Sequence, residues 1–370
     1  MSDNKVFPMN AARRCSKCIL PESTPGISFD DNGVCSYCRS YRSPILKGEQ
    51  ALLSVIEKYK NKNNQFDCIV NISGGRDSAY TILKMAKDYE LKVLAVNYEN
   101  PFTHPLAKRN IKNIKDILGV ELISFAFKPG FHEKLLKLNL QALLKKPDPA
   151  MVPMVCISCK LIWKNILDIA KDNEIKLIVS GGNLYEQTAF KRNLLGGDQN
   201  QGLRSYYSTY IFGLARHTLQ NLRFLRPKTL IPTIKGYMFS NPYSPLVQLL
   251  GRGIAKIDLF HYLSWDEDQV VGRIQNELDW KYPDEGFGSW RFDCEIGHLK
   301  DLFYTRILGL TEKDDFYSKL IREGMISRER ALERISLENR IHLETIKNLM
   351  KTIRMDYSEL EKLGYSANPN

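Results

Sequence analysis

Two serines, two glycines, an arginine and an aspartate stand together in the segment Ser73-Gly74-Gly75-Arg76-Asp77-Ser78. An apolar run at residues 68–72 precedes this segment, and an amphipathic run typical of a helix follows it at residues 79–89. A strand that turns through glycines into a helix leaves backbone N–H groups unpaired at the positive end of the helix dipole. We therefore expect the segment to bind an anion, with the serine hydroxyls as further donors.

The order of residues in this segment indicates which anion it binds. The chain contains no Gly-Lys-Ser/Thr, so the phosphate-binding loop of kinase-type enzymes is missing. The order Ser-Gly-Gly-x-Asp-Ser instead resembles the pyrophosphate loop of adenylating ATP pyrophosphatases. That resemblance implies cleavage of ATP between its α- and β-phosphates, with Asp77 helping to hold Mg²⁺. Arg76 is expected either to contact phosphate or to lie in solvent.

The segments around this loop alternate between strand-like and helix-like patterns. Regular alternation predicts an α/β fold with a doubly wound parallel sheet, and such sheets bind ligands beyond the carboxyl ends of their strands. Strands are predicted at residues 68–72, 92–96, 121–127 and 176–180, and helices at 49–59, 79–89, 105–118, 131–144 and 161–170.

A second pair of glycines follows the last of these predicted strands. Gly181, Gly182 and Asn183, with Glu186 shortly after, are predicted either to form a second wall of the nucleotide site or to be a plain turn. Asn97, at the end of the second strand, is a candidate for contacting the adenosine. Because these residues all follow strands of one sheet, we expect them at the same edge.

Four of the eight cysteines form two close pairs near the N-terminus. Cys15 and Cys18 are separated from Cys35 and Cys38 by sixteen residues, which is the spacing of a tetrahedral four-thiolate zinc site. Disulfides are not expected in a reducing compartment. The sequence therefore predicts a structural Zn²⁺ that folds a small N-terminal module.

Three further cysteines leave two interpretations open. Cys156 and Cys159 precede an apolar helix, and Cys294 lies far downstream. The first two can be ordinary thiols at a helix start. Alternatively, the three together can hold a second Zn²⁺ or an iron–sulfur cluster with one open coordination position.

The charge distribution favours anionic ligands. The formal net charge is +11, and residues 191–235 contain eight basic residues and a single acid. This region is either a solvated basic surface, a site for a phosphate-bearing substrate, or a surface for single-stranded nucleic acid. Lys191, Arg192 and Arg204 are the candidates for holding an anionic substrate, since they are nearest in sequence to the second glycine pair.

The chain has no apolar run of the roughly 18 residues that a membrane span requires. Its first residues also lack the apolar core of an export signal. We therefore expect a cytoplasmic protein without a membrane partner.

Beyond about residue 242 the strand patterns fade and helical patterns dominate. Helices are predicted at 254–263, 267–277, 299–308, 315–323, 328–335 and 341–363. Between them lie Arg291 and Asp293, which are expected to return to the active site. The predicted domains are a zinc module at 1–48, a nucleotide domain at 49–245 and a helical region at 246–370.

Several motifs together resemble the N-acetyl sugar amidotransferases, a family with the pyrophosphate loop and the adenine nucleotide alpha-hydrolase fold. Family members act in making bacterial surface polysaccharides such as the O-antigen of lipopolysaccharide. The motifs that carry the resemblance are residues 15–27, 33–38, 73–78, 156–160, 291–294 and 321–332.

The resemblance implies an activity and a set of roles. ATP adenylates the acetamido oxygen of an N-acetylated sugar, ammonia replaces that oxygen to give an acetamidino group, and AMP and pyrophosphate leave. The substrate is expected to be a sugar nucleotide or a sugar acid. Asp77, Ser78, Arg291 and Asp293 are the implied catalytic residues.

The source of ammonia can be examined without the family. A built-in glutaminase needs an N-terminal cysteine or a cysteine on a glycine-flanked turn, but residue 2 is Ser and no cysteine has a glycine neighbour. The resemblance implies a separate glutaminase with its barrel partner. Two alternatives remain: a tRNA sulfur-transferase, which shares the pyrophosphate loop, and a zinc-ribbon adaptor with an inactive nucleotide fold. Nucleic acid is the less favoured partner, because the motif at residues 15–27 matches the sugar enzymes.

Overall fold

The computed structural model describes residues 13–60, 63–197, 203–283, 288–361 and 364, with the side chains of 203–208 left out of the description. Its centre is a five-stranded sheet in which every neighbouring pair is parallel. The strand order is β3-β2-β1-β4-β5. The strands are β1 (Cys68–Asn71), β2 (Val93–Tyr98), β3 (Glu121–Phe125), β4 (Leu177–Ser180) and β5 (Ala255–Asp258).

Helices cover both faces of this sheet, as predicted. The central strands β1 and β2 are buried almost along their whole length, because parallel strands with helices on each side need apolar side chains on both faces. One layer packs Ile82, Ala107 and Ile274 against the sheet. The other layer packs Trp163 and Leu167 against it.

The helices follow the predicted alternation and then extend it. In the first half of the chain they are α1 (Ser36–Arg39), α2 (Glu49–Tyr59), α3 (Arg76–Leu83), α4 (Pro105–Leu118), α5 (Phe131–Lys145), α6 (Ile162–Asp172) and α7 (Ala189–Leu194). A π-helical turn, Lys84–Asp88, continues α3, and a 3₁₀ segment, Pro149–Lys160, precedes α6.

The second half of the chain is mainly helical. Its helices are α8 (Leu203–Gln220), α9 (Pro227–Met238), α10 (Pro245–Leu250), α11 (Glu267–Leu278), α12 (Ile296–Leu308), α13 (Glu312–Arg322), α14 (Arg328–Glu338), α15 (Leu343–Thr352) and α16 (Ser358–Glu361). Short 3₁₀ turns, Leu184–Glu186 and Leu259–His261, follow β4 and β5.

Two expectations for the C-terminal half are wrong. The helix predicted at 254–263 is strand β5 with a 3₁₀ turn, because pairing with β4 decides the conformation of this short apolar run. The sheet therefore extends beyond the domain boundary predicted at residue 245. The long helix predicted at 341–363 is divided, since α15 ends at Thr352 and Arg354 has φ +53°.

One stretch, Pro149–Asp172, is long and apolar enough to cross a membrane by length and composition only. It consists of the 3₁₀ segment and α6, and 56% of its most apolar window is buried inside the protein. The 3₁₀ segment packs against α5, α9 and α12. The stretch is therefore a core element of the α/β fold.

Candidate functional site

The segment Ser73–Ser78 joins β1 to α3, with a tight turn at residues 73–75 and the first helical residues at 76–78. Gly74 has φ +78°, and a Cβ at this position would lie 2.1 Å from the carbonyl oxygen of Ala107. The Gly74 carbonyl accepts hydrogen bonds from Asn110 Nδ2 at 3.1 Å and from Trp280 Nε1 at 2.9 Å. Only glycine fits this turn, because the conformation and the close approach of α4 both exclude a side chain.

Hydrogen bonds among its serines fix the shape of the turn. The Ser73 N–H donates to Ser78 Oγ at 3.2 Å, and Ser78 Oγ donates to the Gly75 carbonyl at 3.0 Å. The Gly75 N–H donates to Ser73 Oγ at 3.3 Å. The turn opens into a cavity of about 420 Å³. The start of α3 and the two hydroxyls therefore line the mouth of a space that can hold an anion.

Arg76 does not lie in solvent, so that alternative is wrong. Its side chain is only 3% exposed and forms ion pairs with Asp77 at 2.9 Å, Glu186 at 3.1 Å and Glu267 at 3.0 Å. Because its nitrogens are engaged by three carboxylates, it is placed to orient those carboxylates. The guanidinium also lies 4.6 Å from the ring centre of Trp265.

The two glycine turns lie against each other. A Cβ at Gly181 would approach the backbone carbonyl of Asp77 to 2.7 Å. The Asp77 carboxylate accepts hydrogen bonds from Trp265 Nε1 at 3.0 Å and from Asn183 Nδ2 at 3.3 Å. The second glycine turn thus packs on the first and helps to hold Asp77. The sequence predicted this second turn either as a wall of the nucleotide site or as a plain turn, without a contact to Asp77.

Glu186 lies where the carboxylates of the site crowd together. Burial, and then the neighbouring Asp77 carboxylate, raise the pKa of Glu186 to about 7. Arg291 and Arg76 oppose this rise. Glu186 is therefore poised to exchange a proton near neutral pH.

Arg291 and Asp293 return to this cavity from the segment before α12, as predicted. Arg291 has φ +51°, a left-handed conformation that is strained for a residue with a side chain. It pairs with Glu186 and, at 2.5 Å, with Glu312. A Cβ at Gly75 would lie 3.2 Å from the Asp293 carboxyl carbon. Burial raises the pKa of Asp293, although a hydrogen bond from Ser73 works against this rise.

A cluster around Glu312 was not predicted. Burial alone would raise the pKa of Glu312, but Lys191, Lys300 and Arg291 hold it well below its usual range. The Lys300 Nζ lies 3.6 Å from this carboxylate. No local sequence pattern predicts the cluster, since its members come from α7, α12, α13 and the segment before α12.

A smaller cavity of about 240 Å³ lies at the carboxyl ends of β1 and β2. Asn97 lines it, together with Ser73 and Asp293 from the larger cavity. Asn97 thus lies next to the turn, and its contact with an adenosine stays a prediction.

The predicted zinc ligands Cys15, Cys18, Cys35 and Cys38 meet in one buried cluster, with their four sulfurs within 4.8 Å of one another. The Cys15–Cys38 and Cys18–Cys35 sulfur distances are 3.9 and 3.7 Å. A tetrahedral ion with Zn–S bonds of about 2.3 Å separates sulfurs by about 3.8 Å. Arg322 donates to Cys38 Sγ at 3.2 Å, as expected for thiolates. This is a metal-binding site consistent with a zinc module.

Cys156, Cys159 and Cys294 also come together. The Cys156 and Cys159 sulfurs are 3.8 Å apart, and Asn100 Nδ2 donates to Cys294 Sγ at 3.3 Å. Unlike the N-terminal four, all three are partly exposed. Cys156 and Cys294 line the 420 Å³ cavity. Among the described residues, the N-terminal four are the one cysteine group whose sulfurs all lie within 4.8 Å of one another, so these three sulfurs are more widely spread. A second metal or cluster at Cys156, Cys159 and Cys294 stays a prediction.

The three basic substrate candidates have different outcomes. Lys191 and Arg192 line a third cavity, of about 640 Å³. Arg204 lies outside the described residues as far as its side chain is concerned. This third cavity shares Cys156, Glu186, Arg291 and Lys300 with the 420 Å³ cavity. Two adjoining cavities can therefore hold two reactants side by side.

The sequence has detectable relatives of low identity. It is 22% identical over 249 residues to the uncharacterized protein MJ1016 of Methanocaldococcus jannaschii, covering 66% of this chain and 71% of that protein. It is 19% identical over 325 residues to the uncharacterized protein MJ1599 of the same organism, covering 86% and 91%. No family model matches the chain.

Three solved structures are similar over much of their length. The U34-tRNA thiolase NcsA of Methanococcus maripaludis, with its [4Fe-4S] cluster, has a TM-score of 0.33 and 17% identity, with 88% of this chain and 90% of that one covered. The NMN synthetase of Francisella tularensis has a TM-score of 0.37 and 13% identity, with 87% and 96% covered. The NH3-dependent NAD synthetase of Campylobacter jejuni, bound to nitrate, has a TM-score of 0.29 and 15% identity, with 52% and 94% covered. Likenesses of this size establish neither a substrate nor a reaction for this chain.

Proposed function

We propose that the protein is an AMP-forming, ATP-dependent amidotransferase that acts on an N-acetylated sugar. The observation that carries the proposal is the Ser73–Ser78 turn at the end of β1, open to a cavity of about 420 Å³. A turn with two hydroxyls and a helix start suits a pyrophosphate leaving group. The adjoining 640 Å³ cavity supplies room for the acceptor.

The proposed chemistry explains why ATP is needed. An amide carbonyl resists ammonia, because its oxygen is a poor leaving group. When that oxygen attacks the α-phosphorus, the bond to the β-phosphate breaks and pyrophosphate leaves. Ammonia then adds to the imidoyl carbon and loses a proton, and AMP departs with the former amide oxygen. The product is an acetamidino group.

Each part of the cavity has a role in this scheme. Ser73, Ser78 and the start of α3 stabilise the charge that leaves with pyrophosphate. Asp77 is the proposed ligand of Mg²⁺, which neutralises phosphate charge when bound. Arg291 and Asp293 line the 420 Å³ cavity, and Arg291 also lines the 640 Å³ cavity. Both are the proposed contacts of the reacting groups. Gly181, Gly182 and Asn97 would form the walls around the nucleotide.

Support for the sugar comes from the motif resemblance at both ends of the chain, and a role in surface polysaccharide synthesis is proposed on the same basis. Lys191 and Arg192, which line the 640 Å³ cavity, suit an acceptor with a carboxylate or phosphate.

The products of ATP cleavage test the reaction. The protein is mixed with ATP, Mg²⁺, ammonium chloride and a panel of acetamido sugars, and nucleotides are separated by chromatography. We expect AMP and pyrophosphate in equal amounts with one of the sugars. Asp77→Asn should lower the rate at least about a hundredfold. Asp168→Asn, which changes a half-exposed carboxylate on α6, is the matched control. ADP and phosphate as products would refute the proposal.

A tRNA sulfur-transferase is the second candidate, because Cys156, Cys159 and Cys294 meet beside the first cavity. This function requires an iron–sulfur cluster at those thiols and strong, salt-sensitive binding of tRNA. Iron and sulfide analysis after anaerobic purification, with a tRNA thiolation assay, separates the two candidates. Formation of thiolated tRNA would refute the sugar reaction and support the tRNA sulfur-transferase.

We also propose that ammonia comes from a separate glutaminase, with its barrel partner, docked on a proposed face made of α8, α9 and the segment between them. Residues 199–257 contain no aspartate or glutamate. The face combines apolar side chains that are 40% or more exposed with basic ones, a composition typical of protein interfaces when acids are depleted. Its residues are Ile211, Phe212, Leu219, Leu222, Ile231, Ile234 and Met238, with Arg216, Arg223, Lys228 and Lys235.

The position of this face supports the assignment, since α8 also contributes Tyr210 to the lining of the 640 Å³ cavity. The chain alone should use ammonium chloride but not glutamine, and glutamine should drive the reaction once the glutaminase is added. Phe212→Asp should reduce only the glutamine-driven rate, whereas Ile117→Asp on α4 should change neither rate. Use of glutamine by the chain alone would contradict this arrangement.

A further inference from the structure

The 640 Å³ cavity has a polar group that the sequence did not suggest and the scheme above does not use. Asp258 ends β5, His261 follows it in a 3₁₀ turn, and Tyr243 precedes α10. All three side chains line the cavity. The group thus joins two parts of the chain at the carboxyl edge of the sheet, where ligands of parallel sheets bind.

Hydrogen bonds and ring stacking hold the group in a defined geometry. Tyr243 Oη donates to Asp258 Oδ2 at 2.8 Å and lies 3.4 Å from His261 Nδ1. The Tyr243 and His261 rings are parallel within 5°, with centres 6.1 Å apart. His261 Nε2 lies 3.9 Å from Asp258 Oδ2. A carboxylate, a phenol and an imidazole are therefore fixed side by side on one part of the lining.

The surrounding backbone makes room for this carboxylate. A Cβ at Gly182 would come within 2.4 Å of the Asp258 carboxyl group, so the second glycine of the second turn is required by Asp258. Asp258 is 7% exposed. A charged group held this far from water is costly unless it is paired. Burial raises the pKa of Asp258 and lowers the pKa of His261, so neither group is in a favourable setting for its charged form. The fold thus keeps the Asp258 carboxyl group buried, although an apolar side chain at this position would cost less free energy to bury.

The remainder of the lining contains five basic residues, of which Lys191, Arg291 and Lys300 are paired with Glu312. Lys160, Lys191 and Arg192 line the same cavity, and Arg291 and Lys300 line its border with the first cavity. Among the described residues that line the cavity, the carboxylates are Glu186 and Asp258. An acceptor that carries negative charge is therefore favoured in this space.

We propose that the 640 Å³ cavity is a two-part site for an anionic carbohydrate. Tyr243, Asp258 and His261 form the part that binds its hydroxyl groups. The carboxylate and the imidazole can accept hydrogen bonds from sugar hydroxyls, and the phenol hydroxyl can donate or accept them. The stacked rings offer a flat apolar surface to the sugar ring. Lys160 and Arg192 bind the carboxylate or phosphate of the same molecule. The inference rests on the proposed function, because it takes this cavity as the acceptor site.

Binding without turnover tests the site separately from the reaction. N-Acetylneuraminic acid, UDP-N-acetylglucosamine and neutral N-acetylglucosamine are titrated into the full chain without ATP, with calorimetry or ligand-observed NMR as readout. We expect at least one anionic sugar to bind about tenfold or more tightly than the neutral one. Arg192→Gln should remove most of this preference. Equal binding of charged and neutral sugars, or binding of none, would overturn the inference.

The hydroxyl-binding part is tested with conservative variants. Tyr243→Phe removes one hydroxyl group and should weaken sugar binding about tenfold while leaving the KM for ATP unchanged. His261→Ala provides a second variant, since Asp258→Asn risks misfolding through its contact with Gly182. Tyr89→Phe is the matched control, because the Tyr89 hydroxyl also donates to a carboxylate, Glu49, at 2.8 Å but lies on the surface. Equal loss in Tyr89→Phe, or unchanged sugar binding in both cavity variants, would refute the assignment.

These measurements remain distinct from the test of the reaction. Release of AMP and pyrophosphate with an acceptor whose KM is unaffected by Tyr243→Phe and His261→Ala would leave the amidotransferase standing and overturn only the site assigned here. Sugar binding that depends on these residues, without any AMP formation, would support the site and refute the reaction.

Discussion

The cysteines of the N-terminal module and those around Asn100 place the same side chain in two different settings. Cys15, Cys18, Cys35 and Cys38 are fully surrounded by protein, and their sulfurs lie within 4.8 Å of one another. Cys156, Cys159 and Cys294 instead border cavities next to the Ser73–Ser78 segment. The first group has four ligands and no opening, whereas the second has three and faces a cavity.

The hydrogen-bond donors around the two cysteine groups also differ. Backbone N–H groups of Cys18 and Cys35 donate to Cys15 Sγ at 3.4 and 3.2 Å, and Arg322 bonds to two of the thiols. Such outer contacts complete a structural site. Around the second group, Asn100 is a donor to Cys294 that also lines the 240 Å³ cavity. A closed thiol group stabilises the fold, and an open one is available for chemistry.

The largest effect should come from breaking the closed group. Cys38→Ser removes one of four ligands, and structural zinc contributes on the order of 10 kcal/mol, comparable to the whole stability of a domain. We expect loss of about one zinc per chain together with failure to fold or a melting temperature lower by more than about 10 °C. Metal analysis and circular dichroism measure this result.

Cys68→Ala is the matched control, because Cys68 is buried in β1 away from both groups. It should retain its metal. A Cys38→Ser protein that keeps both zinc and melting temperature would show that the module does not depend on the ion.

Substitution in the open group, Cys156, Cys159 and Cys294, should affect activity more than stability. Cys294→Ala should abolish any second metal or cluster and lower pyrophosphate release at least about tenfold, while the melting temperature changes by only a few degrees. The reason is that Cys294 lies at a cavity wall and contributes little to the core. Metal content, product formation and thermal unfolding are measured on the same sample.

Two outcomes for Cys294→Ala would contradict the distinction between the closed and the open cysteine group. If Cys294→Ala unfolds the protein as Cys38→Ser does, both groups are structural. If it leaves metal content and rate unchanged, the three thiols are ordinary side chains, which was the simpler interpretation of Cys156 and Cys159.

Local signals predicted the central elements well. Helices α2 and α4 begin and end at the predicted residues, and the turn after β1 leads into α3 as expected, although α3 begins at Arg76 and not at residue 79. Apolar runs, glycine pairs and Cys-x2-Cys spacings are all read within a few residues. His104 caps α4, since its Nδ1 accepts a hydrogen bond from the Leu106 N–H at 3.2 Å.

Features that depend on distant residues could not be predicted. Arg76 is buried because Glu186 and Glu267, 110 and 191 residues away, surround it. Strand β5 exists because β4 offers it an edge, and the cluster around Glu312 joins three helices. In each case the deciding partner lies far away in the chain, so no short pattern contains the information.

A smaller effect is expected from the outer contacts of the closed group. Arg322→Met removes the donor to Cys38 Sγ at 3.2 Å and to Cys18 Sγ at 3.5 Å, so the metal should bind about 10- to 100-fold more weakly. Competition with a chelator measures the affinity. Arg330→Met, on α14 and paired only with Glu333 on the surface among the described contacts, should leave it unchanged. Equal affinity in both variants would show that Arg322 merely packs against the module.

The smallest effect concerns pH and extends the comparison to the carboxylates of the open side. Because the folded protein raises the pKa of Glu186 from 4.5 to about 7, the folded state holds this proton more tightly than the unfolded chain. The resulting stability is present below pH 4.5 and is lost as pH rises through about 7, by up to roughly 3 kcal/mol. Glu186→Gln, which cannot lose the proton, should therefore gain stability relative to the natural protein between pH 5 and pH 8. Urea unfolding at several pH values measures the difference, with the exposed Glu333→Gln as control. A difference that is constant with pH would mean that Arg76 and Arg291 keep Glu186 ionised throughout, and the cavity would then have a fixed charge.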